Sequence, residues 1–184
     1  MKILLGDPRH TTVGAHSYFT PIGIGYIGSN ILAEFKKDNI KLKISTDPKE
    51  IFDLLKNWKP DIVGISNYIW NSNLANSVCK QAKKNNPNTL CILGGPEFPA
   101  GTGQRKIENT SLDKTYDKCL KYLIDRPSVD YFVWTDGEPT FIEIIKKFKE
   151  HKFSVKSMKE KDDPIKGCAS LSKNKKKLNI GGYV

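Results

Sequence analysis

The stretch Asp61-Ile-Val-Gly-Ile-Ser-Asn-Tyr-Ile-Trp-Asn71 is an apolar run that ends in polar and aromatic residues. Two further stretches have the same form, Leu90-Cys-Ile-Leu-Gly-Gly-Pro-Glu97 and Val133-Trp-Thr-Asp-Gly-Glu-Pro-Thr140. A short, continuous apolar run bounded by turn residues is typical of a strand buried inside a parallel sheet. The carboxyl ends of parallel strands meet at one edge of the sheet, and such folds bind ligands there. The three loops are therefore predicted to converge on one crevice.

Strand-like and helix-like segments alternate five times along the chain. The predicted strands are Lys2–Gly6, Ile40–Ile44, Ile62–Ser66, Thr89–Leu93 and Val129–Trp134. The predicted helices are Tyr26–Lys37, Pro48–Trp58 with Asp47 as its N-cap, Leu74–Asn85, Asp113–Asp125 and Glu138–Glu150. This alternation predicts an α/β fold with a doubly wound, five-stranded parallel sheet. A small C-terminal β-hairpin is predicted over 167–181, and residues 155–165 are predicted to be poorly ordered.

Composition and charge limit the classes of function. The chain has 184 residues and a net charge of +10. Nine lysines and three acids lie in residues 151–184, so +6 of that charge belongs to this segment. The basic run lacks interleaved aromatic residues and no recognition motif is present, so a nucleic acid partner is not expected. No apolar run reaches the ~18 residues that span a bilayer, and no signal peptide is evident; we expect a cytoplasmic protein.

The loops after the third, fourth and fifth strands supply most of the candidate binding residues. They are Ser66, Asn67, Tyr68, Trp70, Gly94, Gly95, Pro96, Glu97, Gly137 and Glu138. Paired glycines at a strand end let a ligand approach the backbone closely, although an ordinary tight turn has the same sequence. The aromatic residues can flank a crevice or pack in the core, and Glu138 can simply complement a helix dipole. No catalytic residue is predicted, because no Ser/His/Asp or Cys/His arrangement can be argued from the sequence. No metal site is predicted either, because the four cysteines, His10 and His16 do not have the spacing of metal ligands.

A glycine motif follows the first long loop. Gly23-Ile-Gly-Tyr-Ile-Gly28 adds Gly23, Gly25, Tyr26 and Gly28 to the candidate binding residues. GxGxxG is the fingerprint of dinucleotide-binding domains when it follows the first strand directly, but roughly 15 residues intervene here. A nucleotide-binding, Rossmann-like domain is therefore the alternative interpretation.

Four segments together resemble a known family. They are Pro21–Gly28, Pro60–Asn71, Ile92–Glu97 and Val129–Glu138, and they are similar to the cobalamin-binding domain at the N-terminus of cobalamin-dependent radical S-adenosylmethionine (SAM) enzymes. The resemblance covers residues 1–150 and implies a flavodoxin-like sheet with cobalamin as the cofactor. It also implies that Ser66, Gly94 and Gly95 line the channel of the dimethylbenzimidazole tail. Residues 151–184 would be a basic extension towards an absent radical SAM barrel.

The chain departs from related patterns in two ways. Cobalamin domains of the methionine synthase type carry DxHxxG, whose histidine ligates cobalt, whereas Gly23 and Gly25 stand at the Asp and His positions here. The resemblance thus implies a base-off cobalamin without a histidine ligand. The lower face of cobalt would then meet a loop side chain or water, and the positions of Tyr68, Ile69 and Trp70 make them the candidates to shield it. The chain also lacks the CxxxCxxC motif that holds a four-iron cluster. S-adenosylmethionine and that cluster would belong to a partner or missing barrel domain, and the chain would not be catalytic alone. A cofactor-free interaction module of the same fold is a further alternative.

Overall fold

The structure, a computed structural model, describes residues 1–10, 20–100 and 114–182. Its strands are β1 (Lys2–Gly6), β2 (Lys41–Ser45), β3 (Ile62–Ser66), β4 (Leu90–Gly94), β5 (Tyr131–Val133), β6 (Cys168–Leu171) and β7 (Leu178–Ile180). Its helices are α1 (Ile22–Glu34), α2 (Pro48–Asn57), α3 (Ser72–Asn85), α4 (Lys114–Ile124), α5 (Gly137–Glu150) and α6 (Val155–Lys161).

All the described strands belong to one sheet, in the order β2-β1-β3-β4-β5-β6-β7. The first five strands are parallel, as the sequence predicts. The predicted C-terminal hairpin belongs to the same sheet, because β6 pairs antiparallel with β5 and extends the sheet to seven strands. No helix of the described ranges is long and apolar enough to cross a membrane.

Helices cover both faces of the sheet, and each face has its own apolar core. On one face Ile51 of α2, Val78 of α3 and Leu123 of α4 pack against strand residues such as Val63. On the other face, side chains of α1, α5 and α6 pack against Leu5, Ile92 and their neighbours. This continuous burial on two faces explains why the central strands read as apolar runs rather than alternating patterns.

Two helices differ most from the sequence prediction. Helix α1 begins at Ile22 rather than Tyr26, so the whole glycine motif lies inside it. The prediction of poor order over 155–165 is wrong, because α6 forms there. The Ser154 hydroxyl accepts a hydrogen bond from the Ser157 N–H and caps this helix. The predicted N-cap of α2 is confirmed, since the Asp47 side chain accepts from the Lys49 N–H at 2.9 Å.

A buried carboxylate ties α3, α6 and the sheet together. The side chain of Asp130, just before β5, is fully buried and lies 2.6 Å from Lys83 Nζ and 2.5 Å from Lys159 Nζ. It also accepts a hydrogen bond from the Cys91 N–H of β4 at 2.8 Å. The two lysines and the amide supply the charge and hydrogen bonding that a buried carboxylate needs.

Candidate functional site

A cleft of about 170 Å³ opens at the carboxyl edge of the sheet. Strand order reverses between β1 and β3, and open α/β sheets bind ligands at this kind of switch point. The first turns of α1 and α5 form the opposite wall. We call this the switch-point cleft, and its lining is mostly apolar: Leu5, Gly23, Ile24, Ile27, Gly64, Ile65, Ser66, Tyr68, Ile92, Leu93, Gly94, Gly95, Val133, Thr135, Gly137 and Phe141.

The structure brings six of the predicted binding residues to this cleft. They are Gly23, Ser66, Tyr68, Gly94, Gly95 and Gly137. The predicted convergence of loops is confirmed, since these residues come from α1 and from the ends of β3, β4 and β5. Among the described residues, the Ser66 hydroxyl has no hydrogen-bond partner, which leaves it available to a ligand.

Gly95 holds the loops after β3 and β4 against each other. Its φ is +130°, and a Cβ built on it would lie 2.6 Å from the Asn67 carbonyl oxygen. The Asn67 N–H donates to the Gly94 carbonyl at 2.7 Å, and the Glu97 N–H donates to the Asn67 carbonyl at 3.3 Å. Only glycine fits this backbone conformation and this spacing without strain.

The loop after β3 presents a stacked aromatic pair. The rings of Tyr68 and Trp70 are 4.6 Å apart between centroids and nearly parallel, at 7°. Trp70 is 57% exposed, and Ile69 between them is 77% exposed. The Tyr68 N–H donates to Asn71 Oδ1 at 2.8 Å, and Asn71 Nδ2 donates to the Pro8 carbonyl at 3.2 Å. These contacts hold the loop in place and leave a flat aromatic surface at the mouth of the cleft.

His10 lies beside this loop, although the sequence indicates only a loop residue. It is exposed, and its Nε2 lies 3.2 Å from the Trp70 carbonyl oxygen. His16 lies outside the described residues. No group of three or more His, Cys, Asp or Glu side chains within the described ranges could hold a metal ion.

Asn67 is predicted to bind the ligand, but the structure turns its side chain away from the cleft. The side chain is fully buried and its Nδ2 donates to the Tyr122 hydroxyl. Burial raises the pKa of Tyr122, so that hydroxyl keeps its proton well beyond neutral pH. Asn67 therefore contributes to the site through its backbone bonds to the neighbouring loop.

The remaining predicted residues do not line the cleft. They are Gly25, Tyr26, Gly28, Trp70, Pro96, Glu97 and Glu138. A Cβ on Gly28 would lie 3.0 Å from Leu42 Cδ2, so this glycine lets α1 pack closely on the sheet. Because the GxGxxG motif forms helix rather than a strand-to-helix turn, it lacks the geometry of a dinucleotide fingerprint. The part of these residues in binding stays a prediction.

Several apolar lining residues are missing from the sequence prediction. Leu5, Ile92 and Phe141 are indistinguishable from core residues in the sequence, because they belong to buried strands or to the buried face of a helix. Gly64 could have been found from the sequence, because a glycine inside a strand often marks a site where a ligand or another group approaches the backbone closely.

The model of the B12 binding domain family matches residues 12–107. The chain belongs to this family. The switch-point cleft is therefore the candidate site of a B12-binding domain, and the comparisons support cobalamin as its cofactor. They do not favour the nucleotide-binding or cofactor-free interpretations.

Two relatives show the wider context. The chain is 28% identical over 87 residues to the cobalamin-dependent radical SAM methyltransferase TokK of Streptomyces tokunonensis, which is 47% of this chain and 10% of that protein. Its fold is similar to part of the structure of the cobalamin-dependent S-adenosylmethionine radical enzyme OxsB with aqua-cobalamin bound, with a TM-score of 0.64 and 16% sequence identity. The match covers 100% of this chain and 22% of the OxsB chain. The chain thus resembles the cobalamin-binding domains of radical SAM enzymes and spans only a minor part of these relatives.

Proposed function

We propose that this chain holds a cobalamin at the carboxyl edge of its sheet, with the nucleotide tail in the switch-point cleft and no histidine of the chain on cobalt. The observation that carries the proposal is the cleft itself, where Ser66, Gly94 and Gly95 meet at the ends of β3 and β4, beside the topological switch point. When bound, cobalamin supplies the cobalt–carbon or one-electron chemistry, and the chain supplies position and exclusion of water.

The residues of the cleft fit an aromatic tail. The lining is apolar on the sheet side and glycine-rich at the mouth, where a Cβ on Gly23 would meet nothing within 4 Å. A Cβ on Gly94 would be in ordinary contact with Val133 Cβ at 3.5 Å, so a side chain larger than alanine would crowd Val133, which also lines the cleft. The Ser66 hydroxyl is placed to donate to a ring nitrogen.

The aromatic pair fits the flat corrin. Tyr68 and Trp70 stack on each other while Trp70 remains more than half exposed. An exposed, nearly apolar plane of this kind is costly in water unless another surface covers it. We propose that it lies against the corrin and keeps water from the lower face of cobalt.

The absence of a histidine ligand is part of the proposal. Gly23 and Gly25 stand at the Asp and His positions of DxHxxG and lie in the first turn of α1, where neither has a side chain to offer. His10 is near the aromatic loop, but its Nε2 contacts the Trp70 carbonyl. We propose that His10 helps to fix this loop and does not bind cobalt.

We further propose that a radical SAM barrel, in another domain or another chain, covers the corrin from above. Large exposed apolar side chains lie in α1 and in the loop after β3, two segments that contribute residues to the cleft: Ile22, Tyr26, Ile69 and Trp70. The four cysteines of the chain are all buried and do not form CxxxCxxC, so the cluster and S-adenosylmethionine would be held by that barrel. Residues 1–150 would form the cofactor domain, with 151–184 as an extension towards the barrel. The domain division and the cytoplasmic location stay predictions.

A titration with hydroxocobalamin, followed by desalting, tests the proposal. The wild-type chain is expected to retain a base-off chromophore. Gly23→Leu fills the cleft from a helical position with free space around it, so the variant should fold but bind at least about tenfold more weakly, a loss of ~1.4 kcal/mol. Ala33→Leu places the same side chain on the exposed face of α1 and is the matched control. A folded wild-type chain that stays colourless would contradict the proposal, as would equal binding by the two variants.

A further inference from the structure

The switch-point cleft ends inside the sheet at Gly64, in the middle of β3. Strand pairing places Gly64 beside Leu5 of β1 and beside Ile92 of β4. These residues share the sheet face that α1 and α5 cover, and all three line the cleft. Gly64 is thus a gap in a row of large apolar side chains.

The ring of Phe141 fills this gap. Phe141 lies in α5 and is only 3% exposed. A Cβ built on Gly64 would lie 2.7 Å from Cζ and 2.8 Å from Cε2 of Phe141, which is closer than side-chain carbons pack. Because Phe141 also lines the cleft, its ring forms the inner end of the space that opens at the mouth.

We infer that Phe141, seated over Gly64, is a specificity-determining residue that limits how far the nucleotide tail of a corrinoid enters the cleft. The inference rests on the proposed function and adds to it the chain's selectivity between corrinoids. The cleft beside the ring has about 170 Å³, whereas ligand pockets commonly have about 300–1,000 Å³. The Phe141 ring and the aromatic base of the tail therefore compete for the same apolar space.

The direction of the effect follows from this competition. A smaller side chain at 141 leaves more apolar room for the base and favours a complete cobalamin. A methyl group at 64 pushes the Phe141 ring outward into the cleft and disfavours it. Cobinamide, which lacks the nucleotide tail, does not use this space, so neither change should alter its binding.

The test compares dissociation constants for hydroxocobalamin and cobinamide, measured by equilibrium dialysis with the full chain. Phe141→Leu should raise the preference for cobalamin over cobinamide about fourfold or more, the factor that burial of one further methylene supplies. Gly64→Ala should lower it, and the double variant should return towards the wild-type ratio, since the two sites are in contact. If Phe141→Leu folds poorly, Phe141→Met provides a second reduction of side-chain size at this position. Thermal unfolding is measured for each variant to check that it folds.

Phe148→Leu is the matched control. Phe148 lies on the same helix, is 1% exposed and does not line the cleft. The Phe148→Leu variant should lose stability as Phe141→Leu does and should leave the preference between the two corrinoids unchanged. Equal preference in Phe141→Leu and Phe148→Leu, with cobalamin still bound, would overturn the inference and leave the proposed function standing. A wild-type chain that binds neither corrinoid would overturn both.

Discussion

Replacing Gly95 with alanine is expected to destabilise the domain by about 2–4 kcal/mol. A residue with a side chain held at φ +130° is strained by about 1–3 kcal/mol. The new Cβ would also lie 2.6 Å from the Asn67 carbonyl oxygen and 3.2 Å from its nitrogen. Relief requires the loops after β3 and β4 to separate, which weakens the bond from the Asn67 N–H to the Gly94 carbonyl, worth about 1 kcal/mol.

Urea unfolding followed by far-ultraviolet circular dichroism measures this loss. With an m-value of about 2 kcal/mol per M, the midpoint should fall by about 1–2 M. Gly182→Ala is the matched control, because its added Cβ meets nothing within 4 Å and its φ is not positive. If Gly95→Ala moves the midpoint no further than Gly182→Ala does, the account of how these loops are held is refuted.

Three further predictions concern charge, ionisation and the aromatic surface. Asp130→Asn removes the carboxylate between two lysines and should lower the free energy of unfolding in urea by about 1–3 kcal/mol. The loss is smaller than for a fully buried ion pair because both lysines reach water. An unchanged urea midpoint would show that these ion pairs do not stabilise the fold. Burial raises the pKa of the Cys168 thiol, so the thiol stays protonated in the folded chain at a pH where it ionises in the unfolded chain, above ~8.5. The free energy of unfolding should therefore fall above that pH by up to about 1.4 kcal/mol per pH unit, and Cys168→Ala should reduce this fall. A urea midpoint of the wild-type chain that does not change with pH would contradict this. Trp70→Ala should leave the thermal midpoint nearly unchanged, because Trp70 is 57% exposed. It should weaken cobalamin binding about threefold to tenfold, because the stacking is lost. Equal affinity of the variant and the wild-type chain would show that Trp70 does not contribute to the site.

The sequence predicts the framework well because each central strand is buried on both faces. Ile62–Ser66 has the bounds that were predicted, since Asp61 and the polar residues after Ser66 mark both ends. Asp47 and Pro48 likewise start α2 where their cap geometry requires. The meeting of three strand-end loops follows from parallel pairing alone.

The elements that the sequence misses depend on tertiary packing. Gly23, Gly25 and Gly28 lower helix propensity, yet Ile24 and Ile31 bury against the sheet and stabilise α1 from Ile22 onward.

Helix α6 is short and polar apart from Val155 and Met158, which pack against the core beneath α5. Its third contact with the fold, from Lys159 to Asp130, joins residues far apart in sequence. The inner end of the cleft is hidden for the same reason, because the contact between Gly64 and Phe141 depends on how α5 crosses the sheet.

Electron paramagnetic resonance of the chain loaded with cob(II)alamin tests the central claim most directly, since a nitrogen ligand on the lower face of cobalt splits the spectrum. The account predicts bound cob(II)alamin without nitrogen splitting. Splitting that changes when the protein is labelled with ¹⁵N would identify a histidine ligand, with His10 first among the described residues. Splitting that does not change with the label would show the tail base on cobalt and outside the cleft. Either kind of splitting would contradict the account.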